Sequence, residues 1–568
     1  MPTFSFLHKT PMYVDKCVVR TKNQSYTRYL LRESKREGKR TLKTTLLNIT
    51  PWGETTCEAL RFALANKDRL NEIGFDPVDF RKIADSVSLE QNLPIGAVWL
   101  LYQRAMRNGL VSAFGDEREG RLALWQVLAR TLDQGSRLSA VRLARDIETG
   151  FLRLGTFSED DLYKNLDWIA KNQHRIEKAL YHKRHDTKPC RLFLYDVTSS
   201  YLEGTQNALA NYGYNRDKKR GKMQIIIGLL CDDDGRPIAV KVFEGNTSDV
   251  KTFSSQVRKV ADRFNVDQVV FVGDRGMIKS VQQKELSEEG FDFITALTKP
   301  QIETLIKQGD VQLELFDENI NEVILDNDKR YVLRRNPVRA EEIAAARASK
   351  LQSLQDFAAK KNEYLHKHGK AKLEIALKQV RDRAKRLNID KWIECESDLA
   401  FRTIGVRVND LAFKETSRLD GCYCLTTSLS AEEMDKETVH ARYKDLAKVE
   451  EAFRTCKTGH LEVRPVYVRK ADRTRAHVFV VMLAYLLVQE LQACWREVDA
   501  TVEENLLALG GLCGVRMTVS SEAEIDLIPK PNTTLQKLFA LAAIEPPVLL
   551  PAGKTSADTK KKLKSRRK

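Results

Sequence analysis

Tyr443, Glu450 and Lys457 stand at seven-residue steps in the stretch Tyr443-Lys-Asp-Leu-Ala-Lys-Val-Glu450-Glu-Ala-Phe-Arg454-Thr-Cys-Lys457. In a helix of about 3.6 residues per turn, seven residues return to within about 20° of the start, so the three share one face. A carboxylate flanked by two phosphate-binding groups suits metal-assisted phosphoryl chemistry. Asp196 and Asp274 supply two more carboxylates: one follows Leu192-Phe-Leu-Tyr195, the other Val269-Val-Phe-Val-Gly273. Each is expected at the end of a buried strand, where a rigid backbone exposes a side chain. Two divalent ions about 3.5–4 Å apart clamp the attacking and leaving oxygens of an in-line displacement at phosphorus. Oxygen ligands of this kind suit Mg²⁺, with Mn²⁺ as a substitute. Asp196 is the expected bridge between the two ions.

Geometry chooses the third acid. On a wheel of about 100° per residue, Leu446, Val449 and Phe453 form the buried stripe. Glu450 falls about 60° from its centre and can look toward a sheet, whereas Glu451 lies outside and is expected in solvent. Arg454 and Lys457 lie on or near the face of Glu450, ready for phosphate, Arg as a bidentate fork and Lys as a point charge. Tyr443 either donates its hydroxyl to a phosphate or packs. The Asp232-Asp233-Asp234-Gly235 run reads as a hairpin turn, and Asn246, Ser248 and Asp249 read as the cap of a following helix.

The elements that must position these residues form an ordered series. Residues 1–50 alternate apolar or aromatic with basic side chains and read as a small basic β-rich module that could face DNA. Residues 51–187 have helical periodicity, with a Ser158-Glu-Asp-Asp161 start signal, and read as a helical region that could bind DNA ends or serve as a scaffold. Residues 188–298 and 431–500 carry three consecutive strands, a helix, a strand ending in an acid, a further strand and a late acid-bearing helix. That is the order of a mixed α/β, ribonuclease-H-like core. Residues 299–430 read as a strand-rich domain inserted into it, and 501–568 as a C-terminal region with a disordered basic tail.

The 568 residues exceed what one core accommodates, and the net charge of +16 favours a polyanionic partner, most plausibly nucleic acid. Lys554–Lys568 holds eight basic residues against one acid, so it is expected to bind phosphates without sequence preference. The ten cysteines show no zinc spacing and read as reduced thiols. The apolar run Ala476–Gln489 is shorter than the roughly 20 residues of a membrane span and is expected as a buried helix, in a cytoplasmic, nucleoid-associated protein with no membrane partner.

At YDVTSSYLEG, the Gln224 strand, GRPIAVKVFEGNTSD, VGDRGM, VEEAFRTCK and RPVYVRKADRTRAH, the chain resembles the DDE transposases of bacterial insertion sequences, in the group marked by Tyr-x2-Arg-x3-Glu-x6-Lys. The resemblance runs from about Phe157 to Leu487. It implies that Asp196, Asp274 and Glu450 form the catalytic, metal-binding triad, and that Tyr443 and Lys457 contact DNA. Leu446 departs from the pattern's arginine, and Arg454 is the neighbour that could replace it. The gap between Asp274 and Glu450 matches relatives with an insertion at this place, and Trp392 is the local candidate for stacking on a flipped base, beside the commoner outcome of a core tryptophan. The implied activity is cleavage at terminal inverted repeats and transfer of 3′-hydroxyls to target DNA, by a homodimer on double-stranded DNA. The alternatives are a catalytically silent DNA binder acting as a repressor and a ribonuclease-H-like nuclease without strand transfer.

Overall fold

The computed structural model describes residues 12–20, 25–37, 40–66, 87–187, 190–217, 219–249, 251–254, 269–326, 329–457, 461–464, 468–519, 523–548 and 555–559. The chain forms two compact units. One contains residues 1–94, 512–530 and 547–550. In it, antiparallel strands Met12–Arg20, Ser25–Glu37 and Arg40–Asn48 pack the helix Glu54–Ala65 through Val14, Tyr29, Ile49 and Cys57. A second sheet joins Val87–Pro94 to the hairpin Cys513–Val519 and Ala523–Leu527. Part of the expected C-terminal region thus pairs with a segment expected to be helical. Alternation along Val87–Pro94 is too weak to announce a strand without the partner it pairs with.

The other unit is built on an eight-stranded sheet. Its strands are β1 (Leu192–Tyr201), β2 (Gln224–Cys231), β3 (Pro237–Glu244), β4 (Val270–Gly273), β5 (Asp292–Ala296), β6 (Asn321–Ile324), β7 (Arg330–Arg335) and, after an excursion, β10 (Cys422–Thr427). Their order is β6-β7-β10-β5-β4-β1-β2-β3. β1, β2 and β3 are antiparallel neighbours, while β4 lies parallel to both β1 and β5. Three antiparallel strands followed by two parallel ones, centred on β1, make this half of the mixed α/β sheet ribonuclease-H-like. The central strands read as near-continuous apolar runs because both faces are covered. Phe193, Tyr195, Phe253 and Phe271 interlock at their core with ring centroids 5.5–5.9 Å apart.

Helices cover the faces. α1 (Glu159–His185) opens with the capping box that Ser158 and Asp161 announce, and it packs on β3. Further helices of this unit are α2 (Ser280–Glu288), α3 (Pro337–Lys367), α4 (Leu373–Arg386), α5 (Lys436–Lys444), α6 (Leu446–Lys457) and α7 (Ala471–Cys494). α7 is long and apolar enough to cross a membrane by composition, but it packs against α1, α6, β3 and the helix Arg118–Leu132, buried from Ala476 to Val488. All ten cysteines are free.

Three expectations change here. β6, β7 and β10 lie within 299–430 yet extend the central sheet, because Tyr331, Leu333 and Cys424 find their core against Ile302, Val311 and Phe316 beside it. What remains between β7 and β10 is mainly helical rather than strand-rich: α3 and α4, the hairpin β8 (Ile393–Asp398) and β9 (Thr403–Val408), and the helix Asp410–Ser417. Leu354, Leu365, Val380 and Trp392 give it a core of its own. In the expected disordered tail, Ser556–Asp558 pairs in parallel with Thr156–Ser158. Residues 551–554 and 560–568 lie outside the described residues.

Candidate active site

Asp196 and Asp274 are brought together by strand register. β1 and β4 run parallel with Tyr195 opposite Gly273, so the two aspartates are the next residues on neighbouring strands. Asp196 is not at the end of its strand, as expected, because β1 continues to Tyr201 beside β2. It is β4 that stops at Gly273, and the loss of that neighbour opens the sheet at Asp196. Ligand sites in sheets of this kind lie beyond the carboxyl ends of parallel strands.

Glu450 arrives from α6. The expected continuous helix from Tyr443 to Lys457 is interrupted at Asp445, which caps α5 and accepts contacts from Arg442 and Lys448, each at 3.0 Å. Tyr443 therefore sits on α5 and Glu450 on α6. Leu446, Val449, Ala452, Phe453 and Cys456 are the buried stripe of α6, leaving Glu450 and Glu451 exposed. Glu450 nonetheless lines the same cleft as Asp196 and Asp274, an opening of about 690 Å³. The root of α3, at Asn336, Arg339 and Ile343, forms the opposite wall. α6 is held at its N-terminal end by Lys448, whose Nζ donates to the Asp233 carbonyl at 2.7 Å. Gly235 (φ +77°) permits this approach, since a Cβ there would lie 2.5 Å from the Lys448 Cβ. Asp232 caps that turn from within, accepting from the Arg236 and Asp234 amides, so the acidic run is a turn.

The electrostatics single out Asp196. Burial pushes its carboxyl up to about 7; the Val197 amide on Oδ1 at 2.7 Å opposes this, Asp274 reinforces it, Arg216 opposes it and Glu450 adds to it. Asp274 accepts from the Arg275 amide at 2.7 Å and from the Tyr443 hydroxyl at 3.3 Å. Burial, and then Asp274, raises the Tyr443 phenol, which stays a protonated donor. Tyr443 thus touches Asp274, where the alternatives were phosphate or packing.

The cleft continues past Arg454 and Lys457 toward Arg216, Asp217 and Asp249. Lys457 is ion-paired with Asp217 and donates to Thr198 Oγ1 at 3.1 Å. Arg216 pairs with Asp249 at 2.6 Å, so Asp249 serves the cleft wall as well as its own helix start. Arg216, Asp217 and Lys448 escape sequence reasoning: no periodicity connects them to the acids. The only available signal was the polar Asn-Arg-Asp cluster between two strands. Leu446, in the place of the signature arginine, is buried and lines the cleft, with Arg454 two turns further along α6. Trp392 is 2% exposed and meets Phe413 edge-on at 5.1 Å, so it is a core residue. His477 is buried between Arg137 and the Val463 carbonyl, away from any solvent-facing role.

The donor set suits a hard divalent cation: three carboxylates open to one cleft, one of them destabilised by burial that Arg216 only partly offsets. Among the described residues, no three Asp, Glu, His or Cys side chains are gathered closely enough to enclose an ion.

A ribonuclease-H-like sheet with three acids lining one cleft places the protein in a class of mixed α/β folds. Residues 188–487 match the family model described as the transposase DDE domain, over half of the chain, and the protein belongs to that family. The chain is also similar to the piggyBac transposase in the cryo-EM structure of its synaptic complex with hairpin DNA. That similarity is 10% in identity with a TM-score of 0.34, over 74% of this chain and 69% of that one. No curated protein gives a significant sequence match.

Proposed function

We propose that this protein is an insertion-sequence DNA transposase of the Tyr-Arg-Glu-Lys group, which binds terminal inverted repeats, cleaves phosphodiester bonds and transfers the 3′-hydroxyl ends to target DNA. The observation that carries the proposal is the convergence of Asp196, Asp274 and Glu450, from three distant segments, on one cleft of a family-typical core. Asp196, Asp274 and Glu450 would hold Mg²⁺ or Mn²⁺, in two sites by this reading. Such ions, when bound, activate the attacking oxygen and stabilise the leaving one. The chain's own residues do the rest. The Tyr443 hydroxyl orients Asp274, Lys448 fixes the helix that carries Glu450, and Lys457 and Arg454 offer positive charge to the DNA backbone once Asp217 releases the lysine. The working form on double-stranded DNA is a homodimer, since two ends must be held together.

The test is strand cleavage and joining of end-containing DNA with Mg²⁺. Asp196→Asn, Asp274→Asn and Glu450→Gln should each slow cleavage about a thousandfold, equivalent to ~4 kcal/mol of barrier. Full activity in any of the three removes that residue from the triad. A catalytically silent DNA-binding repressor is the second reading, favoured by the acids not being gathered around an ion site. It predicts end binding with no nicking by the wild-type protein. A nuclease without strand transfer would yield cut ends and never joined molecules.

A further inference from the structure

We propose that the loop Asn211–Asp217, between β1 and β2, is a stacking platform for unpaired DNA bases at the edge of the catalytic cleft; this deepens, and rests on, the transposase reading. Tyr212 is 63% and Tyr214 84% exposed. Surface rings this open leave their apolar area in water. Here the backbone is held. Asn211 exchanges both backbone hydrogen bonds with Gln224, at 3.1 and 3.0 Å. The buried Gln224 side chain donates to the carbonyls of Tyr214 at 3.0 Å and Gly245 at 2.8 Å. Gly213 sits so close to Gly245 that a Cβ would fall 2.3 Å from its carbonyl oxygen. Two residues on from Tyr214, the Arg216 amide donates to Ser199 Oγ at 2.9 Å. The rings are presented on a fixed support, which lowers the ordering cost of binding a planar partner.

What lies on either side identifies that partner. Downstream, Arg216 and Asp217 form the wall of the cleft shared with Asp196, Glu450 and Lys457. Next come the exposed basic residues Lys219, Arg220 and Lys222, with the Lys219 ammonium 5.8 Å from the centre of the Tyr201 ring. Exposed aromatic rings beside a basic track are how proteins hold single-stranded nucleic acid, the charge following the phosphates and each ring taking a base face. Duplex DNA keeps its base faces stacked inside the helix. The platform therefore serves nucleotides that are already unpaired, such as those at a nicked or melted end, without reading their sequence.

The experiment compares wild-type protein with Tyr212→Leu/Tyr214→Leu and Tyr212→Phe/Tyr214→Phe double variants by fluorescence anisotropy, on a single-stranded oligothymidylate and on a duplex of equal length. Both positions are exposed, so an unchanged melting temperature certifies the fold. The leucine variant should bind the single strand about tenfold more weakly, equivalent to ~1.4 kcal/mol, and the duplex within about twofold of wild type, while the phenylalanine variant keeps wild-type affinity for both. Equal single-strand affinity of the leucine variant overturns the platform. So does an equal loss in the phenylalanine variant, which would point to the hydroxyls, and so does a wild-type protein that does not bind the single strand. Ring-dependent binding by a protein that never nicks end DNA with Mg²⁺ upholds the platform and overturns the transposase reading instead.

Discussion

The central sheet and the insertion between β7 and β10 solve the same problem, burying apolar surface, in opposite ways. The sheet draws on segments far apart in sequence: β1, β4 and β5 lie side by side, and the strands that close its other half come from both sides of the insertion. The insertion packs neighbours in sequence, with α3 against α4 and β9 and with Trp392 against Phe413. Asp196, Asp274 and Glu450 line a cleft beside the sheet, and the exposed apolar residues Leu399 and Phe401 sit at the tip of the insertion's hairpin. The cleft lies where distant segments are forced together, since a rigid core can hold a charged side chain at its rim.

The strongest test of this contrast is to make a cavity in each region. Phe271→Ala should cost about 3–5 kcal/mol and loosen the whole sheet, whereas Trp392→Ala, at a similar local cost, should expose only residues of the insertion. Hydrogen exchange distinguishes the two: loss of protection in β1 and β4 on Trp392→Ala would erase the distinction. Next in size is the tie between hairpin and helix. Lys448→Met keeps the stem and removes the bond to the Asp233 carbonyl, and it should lower cleavage about tenfold with little loss of stability. A variant with wild-type cleavage would show that α6 is positioned by its apolar stripe alone.

A third prediction concerns pH. The Asp196 carboxyl titrates near 7 in the folded chain and near the ordinary carboxylate value when unfolded. Its favourable contribution is complete below about pH 4 and is lost as pH rises through about 7, because the unfolded chain gives up the proton first. Asp196→Asn should therefore raise the melting temperature at pH 8 and leave it nearly unchanged at pH 4; a difference independent of pH would contradict the burial of that charge. The smallest effect is expected at the Lys457–Asp217 pair. Asp217→Asn should strengthen DNA binding a few-fold and steepen its salt dependence, as it frees one cation for phosphate. An unchanged salt slope would mean that the lysine does not meet the backbone.

What could be read from the sequence is local. The start of α1 at Ser158, the turn at Asp232–Gly235, the buried face of α6 and the apolar character of α7 each depend on residues within one or two turns, so spacing and type suffice. That Asp196 and Asp274 follow strand-forming apolar runs was legible too, since a carboxylate in that place is conspicuous. Strand partnership was not. Nothing in residues 321–335 or 422–427 says that they extend the catalytic sheet rather than build a separate domain, because their side chains fit any complementary apolar face. The highly charged stretch around α3 gave its helix away, but the weight of helix over strand in the insertion depended on which strands the sheet recruited.

The sequence by itself determined the local elements and the chemistry available to them: strands bearing Asp196 and Asp274, a helix bearing Glu450, and the charges of Lys457 and Arg454. Tertiary structure alone decided that β4 ends where Asp196 needs an opening, that Tyr443 reaches Asp274, and that Lys457 meets an aspartate 240 residues away. Local propensity acts over a few residues. Contacts across hundreds are set by which surfaces exclude water together, and that choice belongs to the folded chain as a whole.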